Sequence, residues 1–213
     1  MFAAALILPC LLRKLNIISA KVQKTCSGGI PLLSCDNEIA KRGREHGPLG
    51  SVRKATMKDL PDVVALFQKA IYHMNAAGID QWDDIYPDEA TLAVDIKDEA
   101  MYLFAIDGEI AAVFVLNGKC DPEYASGCWK GNGLSFAVVH RLCVNPAFQR
   151  QGIGTRAMTA AEDIIKSTGI ASVRLDAFSE NPPALRLYHR LGYTRVGSMR
   201  FRKGQFYLYE KIL

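Results

Sequence analysis

Gln149-Arg150-Gln151-Gly152-Ile153-Gly154-Thr155 puts two glycines and an arginine at the head of an apolar repeat, Ile153, Ala157, Ala161, Ile164 and Ile165. That three- and four-residue spacing is one face of an amphipathic helix. The first N–H groups of a helix have no partner within it, and the peptide dipoles place roughly half a positive charge there. With no Cβ at Gly152 or Gly154 to keep a ligand off those donors, the turn suits a phosphate or pyrophosphate. Arg150 and Arg156 add charge at its rim. Glycine pairs also serve tight turns, so this stretch alone names no ligand. Two proton-transfer candidates flank it: His140 in the apolar run before the turn, and Asp176 in the run after the helix.

The elements that must position these groups follow from periodicity and from breakers. Val138 to Val144 reads as a buried strand ended by Asn145-Pro146, since proline offers no N–H to a ladder. The helix from Ile153 stops at Gly169. Upstream, Val52 to Thr56 is a short first strand. Asp59 caps a helix with Pro61 in its first turn and an apolar stripe through Val63, Leu66, Phe67, Ala70, Ile71 and Met74. A loop from Ile79 to Pro87 mixes aromatics with acids, and a second helix runs from Asp88 to about Asp98. Met101 to Ile106 and Glu109 to Leu116 flank Asp107-Gly108, a hairpin signal. Residues 117 to 134 form a long glycine-rich loop holding Tyr124, Cys128 and Trp129.

After the central unit, Ala171 to Phe178 is a strand. Asn181-Pro182-Pro183 opens a short helix through Leu191, closed by Gly192. Tyr193 to Met199 and Gln205 to Ile212 are the last strands, around Lys203-Gly204. This order predicts an α+β fold: a mixed, mostly antiparallel central sheet of about seven strands with about four flanking helices.

Three anion-binding families compete for the turn. A P-loop fails, because Gly154 is followed by Thr155-Arg156 instead of Lys-Ser/Thr. Gly152-x-Gly154-x-x-Ala157 with Asp176 beyond it fits a loose Rossmann fingerprint. However, residues 145 to 151 separate the strand from its first glycine, and too little chain follows for the rest of that sheet. The stretch resembles the GNAT superfamily of acyl-CoA-dependent N-acyltransferases, whose signature Gln/Arg-x-x-Gly-x-Gly/Ala is met by Gln149, Gly152 and Gly154. Asn181-x-x-Ala184-x-x-x-Tyr188-x-x-x-Gly192-Tyr193 stands at the family's spacing from that turn, and Phe206 to Lys211 looks like its last strand. The element order from Ser51 onward matches as well.

The resemblance implies transfer of an acetyl group from acetyl-CoA, the cosubstrate, to an amine, with no metal. It implies a sheet splayed between the fourth and fifth strands, with the pantetheine arm lying in the gap. The backbone of Leu142, Cys143 and Val144 would bond that arm. The N–H groups of Arg150, Gln151, Gly152, Ile153, Gly154 and Thr155 would cradle the pyrophosphate beside Gln149. An N–H near Leu142 or Cys143 would be the oxyanion donor. Tyr188 would be the general acid toward the CoA sulfur, and Asn181 would bond the arm or nearby backbone. An alkylammonium is only about one part in a thousand neutral at pH 7, so a proton acceptor is needed. Asp176, acting through a water, and His140 remain alternatives for it. Trp82, Asp83 and Tyr86, with the Tyr124 to Trp129 loop, are expected to border the acceptor site; acids and aromatics suit an amine.

The expected acceptor is therefore a small-molecule amine reached in a ternary complex. Protein N-terminal or lysine acetylation, and a non-catalytic CoA sensor, are the alternatives. A homodimer is left open.

Composition sets outer bounds. The chain has 213 residues and a formal charge of +4. Residues 1–50 hold seven Lys/Arg against three Asp/Glu, so residues 51–213 are balanced and give no electrostatic case for nucleic acid. The six cysteines include no Cys-x-x-Cys pair and no zinc spacing, which favours reduced thiols and a cytoplasmic protein. Phe2 to Leu12 has signal-peptide length but no preceding positive charge, and it is too short to span a bilayer, so no membrane partner is expected. Residues 1–50, ending in the tag-scar-like Gly47-Pro48-Leu49-Gly50-Ser51, are expected to be a disordered or artefactual leader. Residues 51–213 are expected to be the N-acetyltransferase domain.

Overall fold

Asp107 and Gly108 both take positive φ, 51° and 85°, as a two-residue hairpin turn requires. They fold β2 (Met101–Ile106) antiparallel onto β3 (Glu109–Asn117). In the computed structural model, which describes residues 50–213, five more strands extend this hairpin: β1 (Ser51–Lys54), β4 (Phe136–Val144), β5 (Ser172–Phe178), β6 (Thr194–Phe201) and β7 (Gly204–Ile212). The order across the sheet is β1-β2-β3-β4-β5-β7-β6, with β4·β5 the parallel pair. The leader expected over residues 1–50 lies outside the described residues, apart from Gly50.

Strand alternation sorts side chains to two faces. Met101, Leu103, Val113, Val115 and Cys143 pack under α1 (Leu60–Ala76) and α2 (Glu89–Lys97). Phe104, Ala112, Phe114 and Val139 pack under α3 (Ile153–Ser167), and Tyr188 of α4 (Pro182–Arg190) joins the same cluster. The predicted α+β architecture of seven strands and four helices is the one observed. Among the described residues no helix is long and apolar enough to cross a membrane.

Two local expectations change. The first strand ends at Lys54. Asp59 stands before α1, but its carboxylate does not cap the helix. It accepts Arg53 Nη2 at 2.6 Å and the Thr56 N–H at 2.8 Å, tying the first strand to the helix entrance.

The functional consequence of the fold lies in β4. Val115 faces His140 while Val113 faces Cys143, so β4 carries one extra residue there. Arg141 takes it up at φ 50°. This is a β-bulge, which bends a strand and ends regular pairing. A left-handed non-glycine residue costs about 1–2 kcal/mol. Its side chain is pinned at both ends: Arg141 donates to Asp95 Oδ1 at 2.5 Å and to Tyr86 Oη at 2.6 Å.

The 117–134 loop folds back onto the sheet through a buried charge. Glu210, 3% exposed, accepts the N–H groups of Lys130 (2.7 Å) and Gly131 (3.1 Å) and the Ser172 hydroxyl (3.0 Å). It also pairs with Arg174 at 3.5 Å, whose guanidinium lies over the rings of Trp129 and Phe136, at 4.2 and 3.9 Å. Glu210→Ala leaves that buried cation without its counter-charge and two loop amides without their acceptor, and should cost about 3 kcal/mol in urea unfolding. Lys54→Ala, which breaks an exposed pair with Glu99, should leave the midpoint in place.

Candidate active site

β4 and β5 are hydrogen-bonded only where Phe136–Val138 meets Ser172–Arg174. Beyond that point β4 stays with β3 as far as Val144, and β5 stays with β7 as far as Phe178. Two strand edges therefore face each other unpaired. The Asn145 N–H donates to Ala111 O at 2.9 Å, and Cys143 sits opposite Val113. Antiparallel alternation then turns the main-chain groups of Cys143 toward β3 and those of Leu142 and Val144 into the gap. Cys143 is 2% exposed, and burial pushes its thiol far up, which disfavours the thiolate that a nucleophile needs.

The gap opens onto the glycine turn. Gly152 precedes α3 at φ 74° and Arg150 stands at φ 63°. The first backbone bond at this end runs from the Arg156 N–H to Gly152 O, at 3.1 Å. The N–H groups of residues 150–155 find no acceptor among the described residues. A Cβ on Gly152 would meet no atom within 4 Å, so its need for glycine comes from φ. Gly154 has a different reason. A Cβ there would lie 3.1 Å from Leu187 Cδ2, so it is small because α3 packs closely on α4.

A cavity of about 680 Å³ joins turn and gap. Its walls include Leu142, Cys143 and Val144 from β4, and Gln149, Arg150, Gly152, Ile153, Gly154 and Thr155 from the turn. Asp176, Asn181, Tyr188 and Trp82 also reach it. Arg186 and Arg190 of α4 line it too; sequence reasoning passed over them, though their i,i+4 spacing puts both on one helix face. Free amides and arginines at one end and unpaired strand edges at the other fit a diphosphate carrying a long, thin arm.

Four expected residues lie off the cavity walls. Gln151 turns its amide back to Ala147 O at 3.3 Å. His140 Nε2 faces Asn117 Oδ1 at 3.1 Å and Lys119 O at 3.0 Å, two acceptors, so that nitrogen carries the proton. Burial and the nearby Arg141 charge push the imidazole down to about 4. Asp83 accepts from Arg202 and Lys203, which hold its carboxyl far below the usual range. Tyr86 is taken by Arg141.

The residues that do reach the cavity approach it from both faces of the sheet. Tyr188, 7% exposed, packs against Tyr193 and Tyr209 on the α3–α4 face. Burial, then the Asp176 charge, push its phenol well up. Asp176 stands beyond the gap on β5. Burial pushes its carboxyl up to about 6, and Tyr124 donates to it at 2.6 Å. Asn181 caps α4 by accepting the Ala184 N–H at 3.2 Å, and donates to Gln81 at 2.8 Å. Trp82 is buried against Phe67, with ring centroids 5.3 Å apart.

Residues 65–193 match the profile of the acetyltransferase (GNAT) family. The chain is 26% identical over 160 residues to the N-acetyltransferase YesJ of Bacillus subtilis, covering 74% of this chain and 87% of that one. It is 24% identical over 152 residues to the L-methionine sulfoximine/L-methionine sulfone acetyltransferase of Salmonella typhimurium, covering 70% and 82%. A GNAT-family acetyltransferase structure from Streptococcus agalactiae superposes with a TM-score of 0.68 at 22% identity, over 77% of this chain and 95% of that one. At that identity the likeness speaks for the fold.

Gly152→Asp would set a carboxylate among the unpaired amides. It should weaken coenzyme A binding about a hundredfold, about 2.7 kcal/mol, in calorimetric titration. Far-UV circular dichroism should be unchanged.

Proposed function

The chain belongs to the acetyltransferase (GNAT) family, and from that premise we propose that it moves the acetyl group of acetyl-CoA to a primary amine of a small molecule, directly, in a ternary complex. We assign this role to residues 51–213. The observation that carries the reading is the pair of unpaired strand edges running into a row of unpaired amides.

Acetyl-CoA supplies a thioester already reactive toward amines, so the chain need not form a covalent intermediate. Its N–H groups at 150–155, with Arg150, Arg186 and Arg190, would hold the diphosphate end. Leu142 and Val144 would bond the arm as a neighbouring strand does. The Leu142 N–H, turned into the gap, is the oxyanion donor. Tyr188 keeps its proton at neutral pH and would donate from Oη to the departing thiolate.

Asp176 is the proton acceptor in this reading, not His140, which does not line the cavity and whose imidazole is pushed down to about 4 by burial and the Arg141 charge. An ordinary alkylammonium lies about four pH units above a carboxyl at about 6, a gap of about 6 kcal/mol. Desolvation in the cavity lowers the ammonium and narrows that gap.

A compact acceptor is supported by the ties on the cavity wall formed by Ile79, Gln81 and Trp82. Lys203 bonds Asp80 at 2.5 Å and Asp83 at 2.9 Å, Arg202 bonds Asp83 at 2.8 Å, and Asn181 holds Gln81. These contacts strap the wall to the β6–β7 turn and to α4, which favours a compact acceptor over an extended peptide. The amino-acid-like substrate named for the Salmonella relative agrees with this.

Thiol release from acetyl-CoA across panels of primary amines, amino acids and peptides should show turnover with small amines. Turnover with peptides alone would make the chain a protein acetyltransferase. Tight coenzyme A binding with no acceptor in any panel would make it a sensor. Tyr188→Phe should lower kcat at least about tenfold with the acetyl-CoA Kd within about twofold. Full activity in that variant would remove Tyr188 from the mechanism.

A further inference from the structure

Tyr124 lies in the 117–134 loop, 52 residues before Asp176, yet its hydroxyl donates to Asp176 Oδ1 at 2.6 Å. The tyrosine is 2% exposed and does not line the cavity. It is held from several sides. Its ring stacks on Trp129 at 5.7 Å and 15°, and its carbonyl accepts the Trp129 indole N–H at 2.8 Å. The loop is sewn to β6 through the Cys128 N–H to Val196 O at 2.8 Å and Ser126 Oγ to Ser198 O at 3.2 Å. Gly127 presses so near Gly197 that a Cβ there would come within 3.1 Å of its Cα. A hydroxyl placed this firmly does more than fill a core.

We propose that Tyr124 is a positioning residue for acetyl transfer: its phenol engages Asp176 Oδ1, fixes the plane of the carboxylate, and leaves Oδ2 aimed into the cavity for the acceptor's ammonium proton. This rests on the reading of Asp176 as the base. Among the described residues no other side chain donates to the Asp176 carboxyl, and Asp176 reaches the cavity. A phenol-to-carboxylate bond this short stabilises the ionised form, which is the form a base needs. It acts against the burial that raises this carboxyl. The other groups facing Asp176 come from each neighbouring element: Asp121 on the same loop and Arg141 on β4, with Tyr86 from the α1–α2 loop and Tyr188 from α4. Asp121 raises it, while its own backbone N–H and the Arg141 charge lower it, and Tyr124 is the side-chain donor that favours its charged form most.

Tyr124→Phe retains the ring and its stack on Trp129 while deleting the donor. The full chain, labelled with carboxyl-13C aspartate, is titrated by NMR, the Asp176 resonance being assigned by its disappearance in Asp176→Asn. The expected result is a carboxyl midpoint about one pH unit higher in Tyr124→Phe, a tenfold gain in proton affinity. With the best amine of the panel above, the acid limb of kcat/KM should move up by the same amount, and coenzyme A affinity should not change. An unmoved Asp176 midpoint, or one that falls, overturns the proposal and leaves the base reading standing. A raised midpoint with an unmoved acid limb shows that Tyr124 governs Asp176 but that Asp176 is not the base, which overturns both.

Discussion

β4 has two neighbours and divides its length between them, meeting β5 over Phe136–Val138 and β3 from Val138 to Val144. After Val138 it bonds β3 alone, and β5 bonds β7 alone. The extra residue at Arg141 is what separates the two halves of the sheet. A residue at positive φ in mid-strand persists only when its surroundings over-determine it. Here they do: Asp95, 7% exposed, and Tyr86 take the two ends of the Arg141 guanidinium. Removing Asp95 would strand a buried cation, so the pair locks the bulge even where its net contribution to stability is small. The gap, the cavity and the proposed seat for a thin thioester-bearing arm all depend on that lock.

The gap also sets the electrostatics. Tyr188 approaches it from the α3–α4 face and Asp176 from β5 on the other side of the opening. Burial raises both. The phenol thereby stays a donor at neutral pH, and the carboxyl sits close enough to neutrality to accept and release a proton. Positive charge gathers on the same cavity, whose walls carry Arg150, Arg186 and Arg190 beside amides that find no acceptor among the described residues. In the proposed reading one cavity brings anion-binding and proton-transfer groups together.

Much of the fold is legible in the sequence because its signals are local. Asp107-Gly108 announces the hairpin, and Ile153 to Ile165 repeats as a helix with glycines at each end. The donor turn is legible for the same reason. The bulge is not: in Val138-Val139-His140-Arg141-Leu142-Cys143-Val144 no residue marks which one takes positive φ, because the cause is Asp95 and Tyr86, more than forty residues away. The long-range bond from Tyr124 to Asp176 was equally hidden, and Tyr124 read as one aromatic in a loop. Asp83 and Tyr86 drew notice as an acid and an aromatic suited to an amine, yet both are spent on Arg202, Lys203 and Arg141. Residue type shows what a side chain can do, but only the packing shows which partner has claimed it.

A crystal structure of the protein with coenzyme A tests the central claim most directly. The account predicts the diphosphate on the N–H groups of residues 150–155 and the pantetheine arm paired with Leu142 and Val144, between β4 and β5. Continuous β4·β5 hydrogen bonds past Val138, or coenzyme A bound away from this opening, would contradict it.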